Sequence, residues 1–488
     1  MLNDLRIVGR DLGGLLVVLG AVMFAPPLLF LPSGGLSPAL IQAFLLPALT
    51  SIALGLTLQV AAQTRQETEL KHGLVVAALA WLVIPVISTA PFMVLSGMGF
   101  IDSFFEAMSG WTTSGLSMIP KPEEAPQIIL FWRSLTQWVG GAGVIVLLLT
   151  ILARSGTSAN ALYRSEGREE RVMPSVVSTV RTIWWVYLAL TGMCIATLWV
   201  LGMTPFDAVN HAMATLSTGG FGTYGDSIAH FKSPSVELAL IVFMAIGATS
   251  FAVLYPLFRG KAGPLLSDVQ FKAFLILIAL GVAGIGIELY IQGSGPTDSL
   301  RNSAFHFVSA ISGTGFQTSL IDSSAWSPTA QILLAMGMII GGAAGSTAGG
   351  IKLVRAVTAY RGTGWWFKKA SLPQGAVVSF RLGEKRIPDE EANRIVAEAN
   401  LITLVWILFL FVSTIVLIHV VPARYELSDV FLEVASAQGN VGLTTGISTP
   451  DLHPLGKVVL IFSMWIGRLE IIPVLMLFRS LFKGLGPI

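Results

Sequence analysis

The sequence has almost no cysteine and little charge. Asp, Glu, Lys and Arg make up 12% of its 488 residues, against about 25% in a soluble domain, so an ordinary soluble protein is excluded. The one cysteine, Cys194, lies in an apolar run. A disulfide within one chain and a metal site built from cysteines are therefore excluded, and we expect Cys194 to be a small core residue.

Apolar residues take the place of the missing charge. They make up 53% of the sequence, and the mean hydropathy is +0.75. A helix needs about 20 apolar residues to cross a membrane, so the sequence predicts an all-α membrane protein. The first span lacks a convincing cleavage site and is followed by others, so we expect it to be retained. We predict ten spans, at 12–32, 39–62, 73–96, 127–152, 182–203, 235–258, 273–292, 328–358, 399–421 and 455–481.

The basic residues are unevenly distributed between the two sides of this membrane. If the N-terminus is cytoplasmic and Arg133 and Arg468 within spans are set aside, 23 of the 30 Lys and Arg fall on the cytoplasmic side. This is the positive-inside pattern, and it predicts that both termini are cytoplasmic. Topology also explains the basic clusters, so we expect no nucleic-acid partner. The outer loops hold only Lys121, Lys232, Arg301, Arg424 and Lys457.

Four segments between the third and tenth spans align without a gap. Each begins with a typical helix N-cap residue (Asp102, Asp207, Asn302 or Asp429) and ends in a glycine followed by Leu or Phe. About ten helical residues lie between, roughly 15 Å, which is half of a membrane crossing. The segments are DSFFEAMSGWTTSGL (102–116), DAVNHAMATLSTGGF (207–221), NSAFHFVSAISGTGF (302–316) and DVFLEVASAQGNVGL (429–443).

A helix that ends inside a membrane must be packed in protein or line an aqueous cavity. We therefore predict four repeats of span, pore helix, loop and span, with pseudo-fourfold symmetry around one central pore. The first two spans remain as an accessory pair. The predicted divisions are 1–70 for this pair and 71–153, 154–258, 259–358 and 359–488 for the repeats, with cytoplasmic linkers opening the second and fourth and a broken last span in the third.

The glycines that close the four segments predict a cation site. Four helix C-termini aimed at one axis present partial negative charge there, and glycine at positive φ lets successive carbonyls point inward. A carbonyl ring can replace the hydration shell of a monovalent cation. Alternatively, these glycines only allow close helix packing. The predicted ligands are the backbone oxygens of Thr112, Thr113, Ser114, Gly115, Ser217, Thr218, Gly219, Gly220, Ser312, Gly313, Thr314, Gly315, Gly439, Asn440, Val441 and Gly442.

A polar residue lies four places after the start of each segment: Glu106, His211, His306 or Glu433. A metal or proton-relay site would require these side chains to meet, whereas pseudo-fourfold symmetry separates them. No HExxH motif, nucleophile elbow or cysteine pair lies beside them. We therefore expect buried hydrogen bonding at the flanks of the pore helices.

Arg468 stands out in the stretch SMWIGRLE (463–470), because an arginine in a membrane interior faces protein or water. It aligns with Gly141, Ala248 and Gly342 in the other repeats. We predict that the three small residues clear an aqueous cavity below the loops and that the guanidinium occupies it. The alternative is an ion pair between Arg468 and a carboxylate of a neighbouring span.

The segment GGAAGSTAGG (341–350) lies inside the eighth span. Each of its five glycines weakens a helix by about 1 kcal/mol relative to alanine, so we expect the span to be broken there. It lacks the Gly-Lys-Ser/Thr ending of a phosphate loop. We predict that it crosses the cavity as a gate. The predicted gate residues are Gly341, Gly342, Gly345, Ser346, Thr347, Gly349, Gly350 and Arg468.

These features together resemble the Trk/Ktr/HKT superfamily of potassium transporters, most closely its Trk-H branch. The likeness rests on the four loop glycines, the GRLE stretch, the glycine-rich interruption and the extra N-terminal pair, and it covers nearly the whole chain. It implies potassium as the transported ion, a homodimer and a cytosolic nucleotide-binding partner of the Trk-A type. It further implies that Arg468 and residues 341–350 obstruct flow below the filter. Relatives with serine in the first loop tend to pass sodium.

The cytoplasmic segments 155–180 and 359–398 are polar and basic, and either dock this partner or serve as solvated connectors. Residues 376–388 (AVVSFRLGEKRIP) predict a short hairpin before a helix that starts near Asp389. We expect a multi-pass protein of a bacterial inner membrane, in contact with lipid.

Two other classes of protein remain as alternatives. A secondary transporter with a midplane site would have two inverted repeats, whereas these four share one orientation. A membrane enzyme using His211 or His306 would need a nucleophile or metal cluster beside them. We therefore expect no enzymatic activity and no cofactor in this chain.

Overall fold

The chain is helical almost throughout, with one two-stranded hairpin, in the part that the structure describes. The structure is a computed structural model and describes residues 2–143, 175–373 and 378–485, apart from 36, 65 and 384. The N-terminal elements are α1 (Leu2–Met23), α2 (Ala25–Gly34), α3 (Pro38–Leu40), a π-helical turn (Ile41–Leu45) and α4 (Leu46–Ala61).

The remaining helices fall into groups of long and short elements. The first group is α5 (Leu70–Ile87), α6 (Ala90–Leu95), α7 (Phe100–Trp111) and α8 (Gln127–Ala142). The second is α9 (Val176–Val200), α10 (Pro205–Leu216), α11 (Pro234–Gly247) and α12 (Phe251–Leu257). The third is α13 (Gly263–Ser267), α14 (Val269–Ile291), α15 (Pro296–Ser312) and α16 (Pro328–Ile339). The last is α17 (Leu353–Ala370), β1 (Phe380–Leu382), β2 (Lys385–Ile387), α18 (Asp389–Ile418), α19 (Leu427–Gly439), α20 (Pro454–Leu469) and α21 (Ile472–Lys483).

Among the described residues, six runs of helix are long and apolar enough to cross a membrane, so the chain is a multi-pass membrane protein. They correspond to the first, second, third, fifth, seventh and ninth predicted spans. The fourth predicted span is described only as far as α8, since residues 144–152 lie outside the described residues. The six runs are Asn3–Leu31, Pro38–Ala61, Leu70–Leu95, Ser178–Val200, Val269–Ile291 and Asp389–Ile418.

The sixth and tenth predicted spans are each made of two helices that meet at a sharp bend. α11 and α12 meet at an angle of 113°, and α20 and α21 meet at 107°. The second bend is made by Glu470 and Ile471, which both have positive φ (55° and 74°). A β-branched residue rarely takes this conformation, so the sequence carried no local signal for the break. The eighth predicted span is interrupted between Ile339 and Leu353, where the glycine-rich segment lies.

Four short helices, α7, α10, α15 and α19, lie between the long ones. Their predicted N-caps were wrong. α7 begins after Gly99, α10 after Thr204, α15 after Gly295 and α19 after Glu426. The three aspartates are instead the third residues of their helices, where a carboxylate still complements the positive end of the helix dipole. Asn302 lies further inside, because α15 has 17 residues against 12 or 13 in the others.

A hairpin of β1 and β2 precedes α18, as the sequence predicted. The strands pair antiparallel, with Phe380 opposite Ile387. Trp365 of α17 packs with Phe380, Ile387 and Ala392 in a small core separate from the main one, and its indole N–H donates to the Val378 carbonyl at 2.7 Å. This core fixes the hairpin to the helices on either side.

Candidate functional site: a ring of four loops

Each short helix ends in the same way, at the four residues for which the sequence predicted ion ligands. We call these segments ring loops 1 to 4 (112–115, 217–220, 312–315 and 439–442). In each, the N–H of the second residue donates to the carbonyl three residues back, and the N–H of the third donates five residues back. The second residue is left-handed, so each helix closes in a Schellman motif. The left-handed second residues are Thr113, Thr218, Gly313 and Asn440.

The fourth residue of every ring loop is the predicted glycine, and it is left-handed as well, with φ from 75° to 106°. Alternation of left-handed and ordinary residues turns carbonyls in a repeating pattern along each loop. Sequence reasoning found the glycines but missed the left-handed second residues. Glycine and asparagine favour that conformation and supply a signal in loops 3 and 4, whereas the threonines of loops 1 and 2 supply none.

The four loops close into a ring. A Cβ atom added to each closing glycine would collide with the carbonyl of the third residue in the next loop, so only glycine fits at these positions. Close helix packing alone would not require the four glycines to meet, whereas this ring brings all four together. The contacts run in order around the ring: Gly115 with Gly219, Gly220 with Thr314, Gly315 with Val441, and Gly442 with Ser114.

The polar residues of the short helices brace the chain that leaves the ring. Glu106 accepts from the Met118 N–H at 2.7 Å, and Glu433 accepts from the Thr445 N–H at 2.9 Å. His306 accepts from the Thr318 N–H at 3.3 Å. Each contact joins residues twelve apart. The predicted buried hydrogen bonding is confirmed for these three side chains.

His211 differs from its three counterparts. Its Nδ1 lies 2.9 Å from the Asp207 carbonyl, while its Nε2 is buried without a hydrogen-bond partner among the described residues. The rings of Phe231 and Phe316 pack against it, with centroids at 5.2 and 5.8 Å. Within the described residues, no group of three or more His, Cys, Asp or Glu is placed to hold a metal ion.

The glycine-rich segment (341–350) lies against the ring. Thr347 Oγ1 is 3.0 Å from the carbonyl of Leu216, at the end of α10, and 3.0 Å from that of Gly247. Gly349 lies against Gly439 and Asn440, where an added Cβ would be 2.5 Å from the Gly439 carbonyl oxygen. The segment therefore contacts the helix ends that carry loops 2 and 4.

Arg468 joins the glycine-rich segment to loop 1. Its Nη1 donates to the Thr347 carbonyl at 2.9 Å and to Thr113 Oγ1 at 3.4 Å. Its Nη2 donates to the Gly140 carbonyl at 2.5 Å and lies 3.3 Å from that of Gly141. Because backbone carbonyls surround the guanidinium, it is held where α8, loop 1 and the segment meet.

The small residues aligned with Arg468 do not leave open space. A Cβ on Gly141 would be 2.7 Å from the Ser217 side chain, and one on Gly342 would be 2.7 Å from the Ala248 carbonyl oxygen. Ala248 is fully buried. The expectation that these residues clear an aqueous cavity was therefore wrong at both glycines, because close packing of backbone needs their small size.

The charges of the GRLE stretch have separate partners. Glu470 pairs with Arg355, in the first turn of α17 beyond the glycine-rich segment. Arg133 lies on α8, eight residues before Gly141. Its Nε donates to a Glu106 carboxylate oxygen at 2.7 Å, and both side chains are buried. Sequence reasoning placed Arg133 inside a span but did not predict this ion pair, because its partner is 27 residues away.

Comparison with known proteins agrees with this architecture. Residues 40–483 match the TrkH family, described as cation transport protein. The chain is 34% identical over 98% of its length to an uncharacterized cation transporter of Methanocaldococcus jannaschii, of which 96% is covered. It is 30% identical over 98% of its length to the Trk system potassium uptake protein TrkH of Halomonas elongata, of which 99% is covered.

A solved structure matches over the same extent. The crystal structure of the potassium transporter TrkH from Vibrio parahaemolyticus aligns with a TM-score of 0.84 and 28% identity, covering 98% of this chain and 99% of that one. The match of the family over residues 40–483 and the similarity over full length lead to one conclusion. This chain belongs to the TrkH family of cation transport proteins.

Proposed function

We propose that this chain is a potassium-selective transporter with a channel-like pore, and that the ring loops are its selectivity filter. The observation that carries the proposal is the closed ring, in which each closing glycine touches a carbonyl of the next loop. Of the two relatives named as potassium transporters, the Halomonas protein aligns with this chain over nearly its full length, and the Vibrio protein shares its fold. The chain itself is a transporter and not an enzyme.

Carbonyl coordination explains why the loop sequences differ. TTSG, STGG, SGTG and GNVG share only the last residue, because the backbone oxygens of all sixteen residues are the candidate ligands. The helix C-termini add partial negative charge on the same axis, which favours a cation. A ring of carbonyls can replace the hydration shell of potassium, and conduction requires this binding to be weak enough for the ion to leave.

Arg468 and the glycine-rich segment form the gate of this pathway. The guanidinium places a positive charge beside loop 1, and the segment lies under the helix ends of loops 2 and 4. Both therefore obstruct cations that leave the ring towards the cytoplasm. The gate opens when the bonds of Thr347 and Arg468 are released together.

The pore is built from four repeats, with the divisions at residues 71, 154, 259 and 359, behind an N-terminal accessory pair. The accessory helices cross closely, because an added Cβ on Gly13 would be 2.6 Å from the Gly55 carbonyl oxygen. The protein works as a homodimer in the lipid of a bacterial inner membrane, with both termini cytoplasmic. A cytosolic nucleotide-binding subunit of the Trk-A type controls it and docks on the hairpin of β1 and β2.

Uptake by purified protein in lipid vesicles tests the proposed transport. We expect rubidium uptake that potassium suppresses strongly and sodium weakly. Gly315→Ala tests the ring, because the added Cβ would collide with the Val441 carbonyl. A strained left-handed residue costs about 1–3 kcal/mol, so we expect uptake to fall about tenfold or more.

Gly293→Ala is the matched control for this substitution. Gly293 is also left-handed, with φ 94°, but an added Cβ would meet no atom within 4 Å. It should therefore show the conformational cost without the loss of transport. Wild-type protein that takes up sodium as well as rubidium would contradict potassium selectivity, and full uptake by the Gly315→Ala variant would contradict the filter.

A further inference from the structure

One face of α8 lies along loop 2 and the residues just after it, although the helix and the loop belong to different predicted repeats. Three α8 residues at successive intervals of four, which lie on one helix face, make the contacts. Arg133 donates to the Gly222 carbonyl at 3.1 Å, and Gly141 lies against Ser217. Between them, Gln137 contacts the middle of the loop.

Gln137 forms two hydrogen bonds on either side of the closing glycine Gly220. Its Nε2 donates to the Gly219 carbonyl at 2.5 Å, and its Oε1 accepts from the Phe221 N–H at 3.1 Å. The side chain is fully buried. Only one orientation of the amide satisfies both partners, since one needs a donor and the other an acceptor.

The Gly219 carbonyl is one of the four that meet a closing glycine of the neighbouring loop. Its equivalents are the carbonyls of Ser114, Thr314 and Val441. Among the residues that the structure describes, Gln137 is the side chain that donates to any of these four oxygens. Within the described residues, one ring carbonyl is therefore oriented by a side chain that lies outside the four loops.

The sequence shows the same asymmetry. In the alignment that pairs Gly141, Ala248, Gly342 and Arg468, the residue four places earlier is Gln137 in the first repeat and methionine in the others: Met244, Met338 and Met464. Loop 2 is also the one loop with glycine as its third residue. A Cβ at Gly219 would lie on the Gln137 amide group, so the glutamine fills the space that a side chain takes in the other loops.

We infer that Gln137 is a positioning residue for ion selectivity, acting through the Gly219 carbonyl. A sodium ion is smaller than potassium, so binding it requires ring carbonyls to move inward. The hydrogen bond restrains one carbonyl and occupies part of its acceptor capacity, and both effects disfavour sodium. This inference rests on the proposed potassium transport through the ring.

Gln137→Met tests the inference, because it installs the residue of the other repeats and removes both hydrogen bonds. The readout is the ratio of rubidium to sodium uptake in vesicles, which does not depend on how much protein is folded. We expect the ratio to fall about two- to tenfold, the effect of losing the one hydrogen bond that restrains the Gly219 carbonyl. An unchanged ratio in a variant that still transports rubidium would overturn the inference.

Gly219→Ala breaks the same contact from the opposite side and serves if Gln137→Met does not fold. Gly219 has no positive φ, so alanine is tolerated by the backbone, and its Cβ displaces the Gln137 amide. We expect the same fall in the ratio, and a wild-type ratio would overturn the inference.

Gln331→Met is the control for losing a buried glutamine. Gln331 is fully buried on α16 and donates to the Ile321 carbonyl at 2.8 Å, away from the ring carbonyls. We expect its ratio to stay at the wild-type value; an equal fall would show that the Gln137 effect is general destabilisation. Wild-type protein without potassium preference would contradict the proposed function itself, whatever the variants do.

Discussion

The ring loops and the glycine-rich segment are both irregular backbone inside a membrane protein, yet they are held differently. Each ring loop closes its helix with two backbone hydrogen bonds and touches the next loop. The glycine-rich segment is joined at its two ends by backbone pairing between Ile340 and Ile351. Its middle is bonded to elements distant in the chain, through Ala343, Ala344 and Thr347. The ring loops are therefore held by their own helices and by one another, whereas the segment is held by elements distant in the chain.

Buried side chains reinforce the ring further. Glu106 pairs with Arg133 and accepts a hydrogen bond from the chain that leaves loop 1. Glu433 accepts hydrogen bonds from Thr444 and Thr445, in the chain that leaves loop 4. A rigid ring suits discrimination between ions of different size.

The largest expected effect is on the support of the ring. Glu106→Ala leaves the buried guanidinium of Arg133 without its carboxylate partner, which costs about 3–5 kcal/mol of stability. We expect a large drop in the thermal midpoint of the protein in detergent. Glu124→Ala, which removes an exposed pair with Lys121, should leave the midpoint unchanged.

The double variant Glu106→Gln with Arg133→Gln sharpens this prediction. Removing both charges avoids the unpaired buried ion, so we expect it to be more stable than Glu106→Ala. If Glu106→Ala unfolds at the wild-type midpoint, the ion pair does not support the ring.

A smaller effect is expected at the proposed gate, where stability is not at issue. Arg468→Ala removes the charge beside loop 1 and the bonds to the Thr347 and Gly140 carbonyls. We expect rubidium uptake by vesicles to rise several-fold, because the positive charge and the anchored segment no longer oppose a cation. Arg424→Ala removes an exposed arginine and should leave uptake unchanged. Unaltered uptake by Arg468→Ala would favour a purely structural arginine.

The smallest effect is expected from one hydroxyl group. Thr347→Val keeps the shape of the side chain but loses the contacts with the Leu216 and Gly247 carbonyls. One hydrogen bond shifts an equilibrium by about two- to tenfold, so we expect a modest rise in uptake that does not exceed that of Arg468→Ala. Thr363→Val, on the exposed side of α17, is the control. A fall in uptake would mean that Thr347 assists passage instead of retaining the segment.

The sequence was sufficient for the broad architecture. Long apolar runs have one physical solution in a membrane, which is a helix, and six of the predicted spans appear as helical runs of that length. The aligned segments located the short helices and their closing glycines, because the residues that end a helix act on their own neighbours. The hairpin of β1 and β2 was predicted for the same reason.

Other features depended on residues far apart in the chain. The left-handed threonines of loops 1 and 2, the bend at Ile471 and the pairing of Arg133 with Glu106 have no local signal. The small residues aligned with Arg468 were predicted to clear a cavity, although close packing against another segment explains the small size of two of them.

By itself, then, the sequence determined six helical runs of membrane-crossing length, where four short helices end, and that glycine must close each of them. Tertiary structure alone decided the order in which the loops touch, the carbonyls that receive Arg468, and the side chain that orients Gly219. Local patterns report the conformation of neighbouring residues, whereas a contact between distant segments exists only once the helices have packed.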